Sequence, residues 1–532
     1  MTTTSAPASP FAAPAAAGAP RVVNPWIVAV AVMFATFMEI LDTTVVNVSL
    51  PHIAGSLSAT IDESTWALTS YLVANAIVLP LTGWLANHFG RKRLLMLSVA
   101  GFTTASFLCG LAPNLPVLVI FRIVQGMTGG ALQPLSQAVL LEAFPPQDRG
   151  KAMGFWGLGI VVAPILGPVV GGWLTDSYSW RWVFYINIPV GIASIIMTRL
   201  FIFDPPYIQR KSERIDYAGI GLLAVGIGAL QLLLDKGQEE DWFAATSMQI
   251  TAAVAVVGIV AFIVRELRTE HPVVDLRVFR ARTYAAGVFL MTVLGFVLYG
   301  SLVLLPIFLQ TLLGYPSLQA GIAMAPRGIG SFLAMPVVGL IIMKVGPRRL
   351  LTVGITVGAF TLFWLGQLSL AAGYWNIFWP QLLQGMALGL VFVPLTTISM
   401  DPIPREGMGN ATSLFNLMRN IGGSMGIALA TTLLYRRGQE YANLLGARVT
   451  PFDPAARSFL GGLRRMFEAR GADAVTAAER AQAMAASLVA RQASMMSFVA
   501  VFRLLGVIFL LLLPLVLIMK NPKKAAAGAA MH

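Results

Sequence analysis

The stretch TFMEILDTTVVNVSLP, Thr36 to Pro51, sets two carboxylates inside an otherwise apolar run that begins near Trp26. At about 1.5 Å per helical residue, Glu39 and Asp42 lie roughly 20 and 24 Å along it, inside a hydrocarbon layer about 30 Å thick. Three residues apart, they share a helix face. An ionised carboxylate at that depth costs at least about 2.5–3.5 kcal/mol, so it has to face a cavity, meet a cation or take up a proton. A proton-driven carrier needs such groups; the plain alternative makes Asp42 a polar packing residue near the outer face.

The surrounding chain is apolar throughout. With 57% hydrophobic residues, 11% charged residues and a mean hydropathy of +0.74, it falls outside the soluble range and reads as an all-α integral membrane protein. Six runs, 26–49, 63–86, 94–112, 116–140, 151–174 and 184–203, fill the first part. Two more, 216–234 and 248–266, stand in the middle, and 284–309, 317–341, 350–370, 377–399, 409–434 and 498–519 complete fourteen candidate spans. The implied division is a disordered tail 1–25, a six-helix bundle 26–203, an inserted pair with linker 204–283, a second bundle 284–519 and a tail 520–532. The second bundle includes a loop, 435–497, in which Phe459–Phe467 reads as a basic amphipathic piece and Ala472–Gln492 as an Ala-rich helix.

Charge orients the chain. A net charge of +13 and a pI near 10.1 would suit a nucleic-acid binder, but basic loops on one membrane face account for them better, so no nucleic-acid partner is expected. Arg91, Lys92 and Arg93, then Arg149 and Lys151, and later Lys344, Arg348 and Arg349 all fall on the side of the termini, which are therefore cytoplasmic. The opposite short loops carry the acidic cluster Asp235, Glu239, Glu240 and Asp241. The single cysteine, Cys109, excludes an intrachain disulfide, and the four histidines stand in loops or at the terminus, so no cofactor or metal is expected.

An internal repeat divides the spans. RIVQGMTGGALQPL (Arg122–Leu135) is echoed by QLLQGMALGLVFVPL (Gln381–Leu395), and GWLANHFGRKR (Gly83–Arg93) by GLIIMKVGPRR (Gly339–Arg349). Two parallel six-span halves with a substrate site between them, and two spans inserted at the centre, are the 6+2+6 form of the major-facilitator plan.

Buried charge supplies the candidate site. Arg122 on span four reaches the depth of Glu39 and Asp42, and pairing with a carboxylate there would respond to proton load. Arg327 and Arg419 fall at the midplane of the second half, where no carboxylate shares their depth; each needs a carbonyl, a water-filled cavity or an acidic group on a substrate. With Gln125, Gln133 and Asn416 they form the expected substrate cavity. In span five, Gly159, Gly167, Gly171 and Gly172 leave a flat face, while Pro164 and Pro168 remove backbone donors, as suits a helix at the seam of two rocking halves.

These residues resemble the fourteen-span drug:proton antiporter family of the major facilitator superfamily, in its EmrB-like branch, over about residues 20–520. LDTTVVNVSLP (Leu41–Pro51) is similar to the family's first-span motif, whose acid takes part in proton coupling, which points to Asp42. RIVQGMTGG (Arg122–Gly130) is similar to the span-four motif with its proton-relay arginine, Arg122. APILGPVVGG (Ala163–Gly172) resembles the span-five antiporter motif that marks exporters; WRWVFYINIPVG (Trp180–Gly191) and NLMRNIGGSMG (Asn416–Gly426) strengthen the placement. The loop motif supplies Gly83, Gly90, Arg91 and Arg93 as conformational residues, but Asn87 stands where the superfamily carries an acid, which puts a charged gate latch in doubt and leaves a helix-capping role open. Glu39 is outside the resembled motif and is a candidate second proton site or tuner of substrate choice.

The expected function is export of amphipathic drugs or toxic lipophilic compounds across the inner membrane, driven by protons without a cofactor. The alternative is a more selective exporter of anionic lipophiles such as fatty acids, suggested by Arg327 and Arg419. The resemblance also implies, for a cell with two membranes, a periplasmic adaptor and an outer-membrane channel as partners. An enzyme is disfavoured because no span carries a nucleophile, base and oxyanion set, and a channel because paired halves suit alternating access.

Overall fold

The computed structural model describes residues 24–204, 216–270, 272–450, 452–517 and 519, without the side chains of residues 61, 62, 165, 317 and 318. The expected tails, up to residue 23 and from residue 520, and the basic linker residues Arg210, Lys211 and Arg214 lie outside the described residues.

Among the described residues all regular structure is helical. Asn24 opens the first helix by accepting the Trp26 N–H, with Pro25 at the first position, where a missing donor costs nothing. That helix is α1 (Pro25–Ser56). It is followed by α2 (Trp66–Phe89), α3 (Arg91–Leu111), α4 (Leu115–Ala143), α5 (Arg149–Ser177) and α6 (Trp182–Phe201). The inserted pair is α7 (Tyr217–Lys236) and α8 (Thr246–Arg268). The second half has α9 (Arg282–Leu312), α10 (Ser317–Val345), α11 (Pro347–Leu365), α12 (Tyr374–Met400), α13 (Met408–Gly446), α14 (Pro454–Ala469) and α15 (Ala474–Val516).

Thirteen of these helices are long and apolar enough to cross a membrane. The expected span 409–434 is not one of them by composition, because α13 carries Asn410, Asn416, Arg419 and Asn420. It is nevertheless enclosed by α9 and α15 and touches α2, α4 and α7, so its polar residues meet protein rather than lipid. With it the protein has the fourteen-span arrangement. The expected loop 435–497 is instead mostly helical: α13 runs on to Gly446, α14 follows, and α15 begins at Ala474 and continues into the last span. Phe459–Phe467 lies within α14, and Ala477, Ala481 and Ala485 of α15 form a buried stripe on the helix against which α14 packs.

The repeat is visible in the backbone. The loops that end α2 and α10 turn on Gly90 (φ 85°, ψ 149°) and Gly346 (φ 92°, ψ 135°), conformations that a side chain disfavours. Gly126 of α4 approaches the Tyr71 carbonyl of α2 so closely that a Cβ would lie 2.4 Å from it; Gly385 of α12 meets the Arg327 carbonyl of α10 in the same way.

The two halves meet near these glycine turns. A Cβ on Gly83 would lie 2.7 Å from the Asn410 backbone, and one on Gly154 would lie 2.6 Å from the Met335 carbonyl, so α2 touches α13 and α5 touches α10 through bare backbone. Hydrogen bonds complete the contact: Thr412 Oγ1 donates to the Pro134 carbonyl at 3.1 Å, and Asn416 Nδ2 to Gln137 Oε1 at 2.5 Å. Beyond Gly157, away from this closed end, a cavity begins.

Candidate functional site

Asp42 is held from three directions. Arg122 Nη1 donates to its Oδ2 at 2.6 Å, while Gln125 Nε2 and Asn187 Nδ2 donate to its Oδ1 at 3.0 and 2.7 Å. Arg122 also donates from Nη1 to Gln125 Oε1 at 2.8 Å and from Nε to the Ala67 carbonyl at 2.8 Å, and its guanidinium lies 4.2 Å from the centre of the Tyr71 ring. Ser106 accepts a hydrogen bond from Asn187 and donates its own to the Phe184 carbonyl. Helices α1, α2, α3, α4 and α6 thus meet at one ion pair, both members of which are 0% exposed. Removing two ions from water costs several kcal/mol each, so the pair persists only because charge-assisted hydrogen bonds surround it. Protonation of Asp42 would cancel one charge and leave Arg122 to neutral acceptors.

One turn earlier on α1, Glu39 is also buried. Its Oε1 accepts from Asn75 Nδ2 of α2 at 2.9 Å, whereas Oε2 has no hydrogen-bond partner among the described residues. Gln133 of α4 stands beside it. Arg419 Nη2 donates to Gln133 Oε1, which joins the halves by a short hydrogen bond. Both arginines expected at the midplane line the cavity, which holds about 920 Å³ of empty space, its open mouth included, and is otherwise bounded mainly by apolar side chains of α5, α9, α10 and α12. Arg327 meets the Ser301 hydroxyl at 3.4 Å.

The sequence-predicted cavity set therefore separates. Arg327 and Arg419 stay in the cavity; Gln125 belongs to the Asp42 cluster; Gln133 and Asn416 bridge the halves. Asn187, Tyr71, Ser106 and Asn75 have positions that sequence reasoning missed. The available signal was slight: Asn187 is the lone amide in the apolar run from Val183, and Asn75 the lone amide of α2's central turns.

Residues 32–427 match the family described as Major Facilitator Superfamily. The chain belongs to the Major Facilitator Superfamily. Within it, the chain is 41% identical over 81% of its length to the multidrug export protein EmrB of Haemophilus influenzae, covering 85% of that protein. It is 37% identical over 94% of its length to EmrB of Escherichia coli, and 38% identical over 93% to the fatty acid resistance protein FarB of Neisseria gonorrhoeae, covering 96% of each. These place it with the EmrB-like permeases, as a multi-pass protein of the bacterial inner membrane. The solved human organic anion transporter MFSD10 shares the fold, with a TM-score of 0.61 at 14% identity over 94% of this chain and 100% of that one.

Against that superfamily plan, two motif residues act differently from expectation. Asn87 is exposed and caps nothing: the residue that opens α3 is Gly90. Arg91 pairs with Glu142 of α4 inside its own half, Arg93 is exposed, and the Gly83–Arg93 loop meets the other half through the bare Gly83 backbone. On α5 the expected single glycine face splits. Gly159, Gly167 and Gly171 press on Met33, Thr44 and Val45 of α1, whereas Gly172 faces open space. The seam with α10 uses Gly150, Gly154 and Gly157 instead. Pro164 and Pro168 do not break α5, which is continuous from Arg149 to Ser177; they line the cavity.

Proposed function

We propose that the chain exports amphipathic, toxic compounds by alternating access, exchanging them for protons without a cofactor. The observation that carries the coupling is the buried Asp42–Arg122 pair, a charge that a proton can cancel, placed where five helices of one half meet. The names of the EmrB relatives and the apolar cavity between the halves support drug export. In this reading substrate occupies the cavity beside Arg327 and Arg419, protonation of Asp42 releases Gln125 and Asn187, and the first half repacks against the second. Purified protein in liposomes with an imposed pH gradient tests it. Wild type should move dyes and drugs against their gradients, and Asp42→Asn should reach the membrane in normal amount yet lose proton-driven transport. Unchanged substrate-induced proton movement in Asp42→Asn removes Asp42 from the coupling.

A second reading is favoured by the cavity's charge: its two charged lining residues are both arginines, as suits an anionic lipophile, and the name of the FarB relative points to fatty acids. Competition among anionic, neutral and cationic compounds separates the two. Indifference to charge counts against the anion. A periplasmic adaptor and outer-membrane channel remain part of the proposal, with the outer helices α14 and α15 as the surface offered.

A further inference from the structure

We propose that the second half holds a binding site for the carboxylate of an alkyl-chain acid, built from Arg327, Ser301 and Gln384, with the chain in an apolar slot beside them. The proposal rests on the anionic reading above and gives that ligand a compartment of its own next to the cavity. The slot holds about 300 Å³ of empty space, its mouth included, and is enclosed by α9, α10, α11, α12 and α15. That is the lower end of the range for small-molecule sites, roughly 300–1,000 Å³, and suits a single chain. Arg327, Leu294, Leu298 and Leu388 line both the slot and the cavity, so they form the threshold between the two. Leu362, Ala387 and Phe509 belong to the slot alone, and among the described residues no acidic side chain lines it.

The internal repeat shows what this half lacks. In the first half Arg122 and Gln125, three residues apart on α4, both donate to Asp42. The echoed sequence sets Gln381 and Gln384 at the matching positions of α12, and Gln381 Nε2 donates to Gln384 Oε1 at 3.3 Å as Arg122 Nη1 donates to Gln125 Oε1 at 2.8 Å. The cation has changed helices. At the offset that relates Gly90 to Gly346, Arg327 of α10 stands where α2 has Tyr71, and Gly385 approaches its carbonyl as Gly126 approaches that of Tyr71. By the same offset Gly358 replaces Phe102, whose ring meets Tyr71 edge-on, so α11 presents bare backbone to the slot where α3 fills its own half with an aromatic ring. What has no counterpart is the acid. Arg327 is 6% exposed and its one hydrogen bond is the 3.4 Å contact with Ser301; among the described residues its Nε and Nη1 and the Gln384 amide nitrogen meet no acceptor. A guanidinium at the midplane without a counter-charge, lining the same slot as an unspent amide N–H and a hydroxyl, calls for an acceptor with two oxygens. A carboxylate entering from the cavity supplies it, and the apolar walls receive its chain.

Displacement of radiolabelled decanoate from the full chain in nanodiscs, with no pH gradient and with empty nanodiscs as the blank, reads the site directly. Saturated carboxylates from hexanoate to tetradecanoate compete in turn, with decanol and methyl decanoate as uncharged controls and tetraphenylphosphonium as a cationic probe of the cavity. In wild type each added methylene should tighten binding about fourfold until the slot is full, after which affinity should level off, and the uncharged controls should compete weakly. Arg327→Gln should weaken decanoate about ten- to a hundredfold and leave decanol unchanged. Ala387→Leu, which puts extra carbons into the slot, should bring the plateau to a chain about three carbons shorter. Leu362→Ala should lengthen it by about as much, and it keeps the test open if Ala387→Leu does not fold. The proposal fails if Arg419→Gln rather than Arg327→Gln abolishes decanoate binding, which would put the anion in the cavity proper, or if the plateau stays at the same chain length in whichever slot variant is recovered. If wild type binds tetraphenylphosphonium but none of the carboxylates, the anionic reading itself fails and takes this site with it, while drug export stands. With neither class bound, the cavity fails as the transport site as well.

Discussion

Arg122 makes demands that its charge alone does not meet. Its Nε and Nη1 point to different acceptors, the Ala67 carbonyl on one side and Asp42 with Gln125 on the other, and its flat face lies on Tyr71. A lysine at this position keeps the charge but has one nitrogen and no planar face. Arg122→Lys should therefore lose about ten- to a hundredfold in proton-driven transport, the equivalent of one charge-assisted hydrogen bond at about 1.5–3 kcal/mol. Initial rates in the pH-gradient liposome assay measure it, and near-normal rates would show that a point charge suffices. The same residues show what a linear sequence discloses. Glu39, Asp42, Arg122, Arg327 and Arg419 stand out because charge in an apolar run is costly. Asn187 does not, since a single neutral amide in a helix costs too little to be noticed. Arg419 looked partnerless for another reason: the residue that receives its hydrogen bond is 286 positions away, in the other half.

At the scale of elements, the inserted pair is more than a spacer. Helix α7 is fastened to α2 by a Thr69–Asp235 hydrogen bond and to Thr65, just before α2, by Lys236, which donates to its Oγ1 at 2.6 Å; it is fastened to α13 by Gln231, which donates to Ser424 Oγ at 2.9 Å. Its other end depends on Asp216, which caps α7 at Gly219 N–H and receives both Nε and Nη2 of Arg265 from α8. That guanidinium, followed by the backbone N–H groups, holds the Asp216 carboxyl below its ordinary value of 3.8. A group lowered in the folded state stabilises above its ordinary value and loses that contribution as pH falls through the lowered one. Asp216→Ala should thus cost about 1 kcal/mol at neutral pH, mostly the cap, and the deficit should shrink as the pH drops below 3.8. Thermal unfolding of the detergent-solubilised protein across pH checks both sign and window; a deficit independent of pH would contradict the ion-pair account. The two extra spans were legible from hydropathy, because α7 and α8 are plain apolar runs between charged breaks, and their insertion at the centre from the spacing of the repeat. The helical character of residues 435–497 was only partly so. Its amphipathic and Ala-rich segments signalled helices, but nothing local signals that α13 and α15 continue unbroken out of their spans.

For the whole molecule, alternating access requires the seam near the Gly90 and Gly346 turns to open in one phase of the cycle. That seam is closed here by backbone contacts at Gly83 and Gly154 and by the Gln137–Asn416 hydrogen bond, all of which join one half to the other. Interfaces of bare glycine backbone pack closely without interlocking side chains, so they separate at modest cost and re-form in register. If separation there is obligatory, tying the halves together should stop turnover without disturbing the Asp42 cluster, which lies wholly inside the first half. Cysteines replacing Gln137 and Asn416 stand opposite each other and, at 1% exposure each, meet a thiol reagent only while the seam is open during turnover, whereas the native Cys109 is buried inside the first half. Joining Gln137→Cys to Asn416→Cys with a short cleavable bifunctional maleimide should abolish transport in proportion to the cross-linked fraction, and cutting the linker should restore it. Either single variant treated in the same way should keep its rate, which separates the tether from mere alkylation of the seam. Continued transport by fully linked protein would mean that the halves work without parting at this end, and rocking about the seam would have to give way to a motion confined to individual helices.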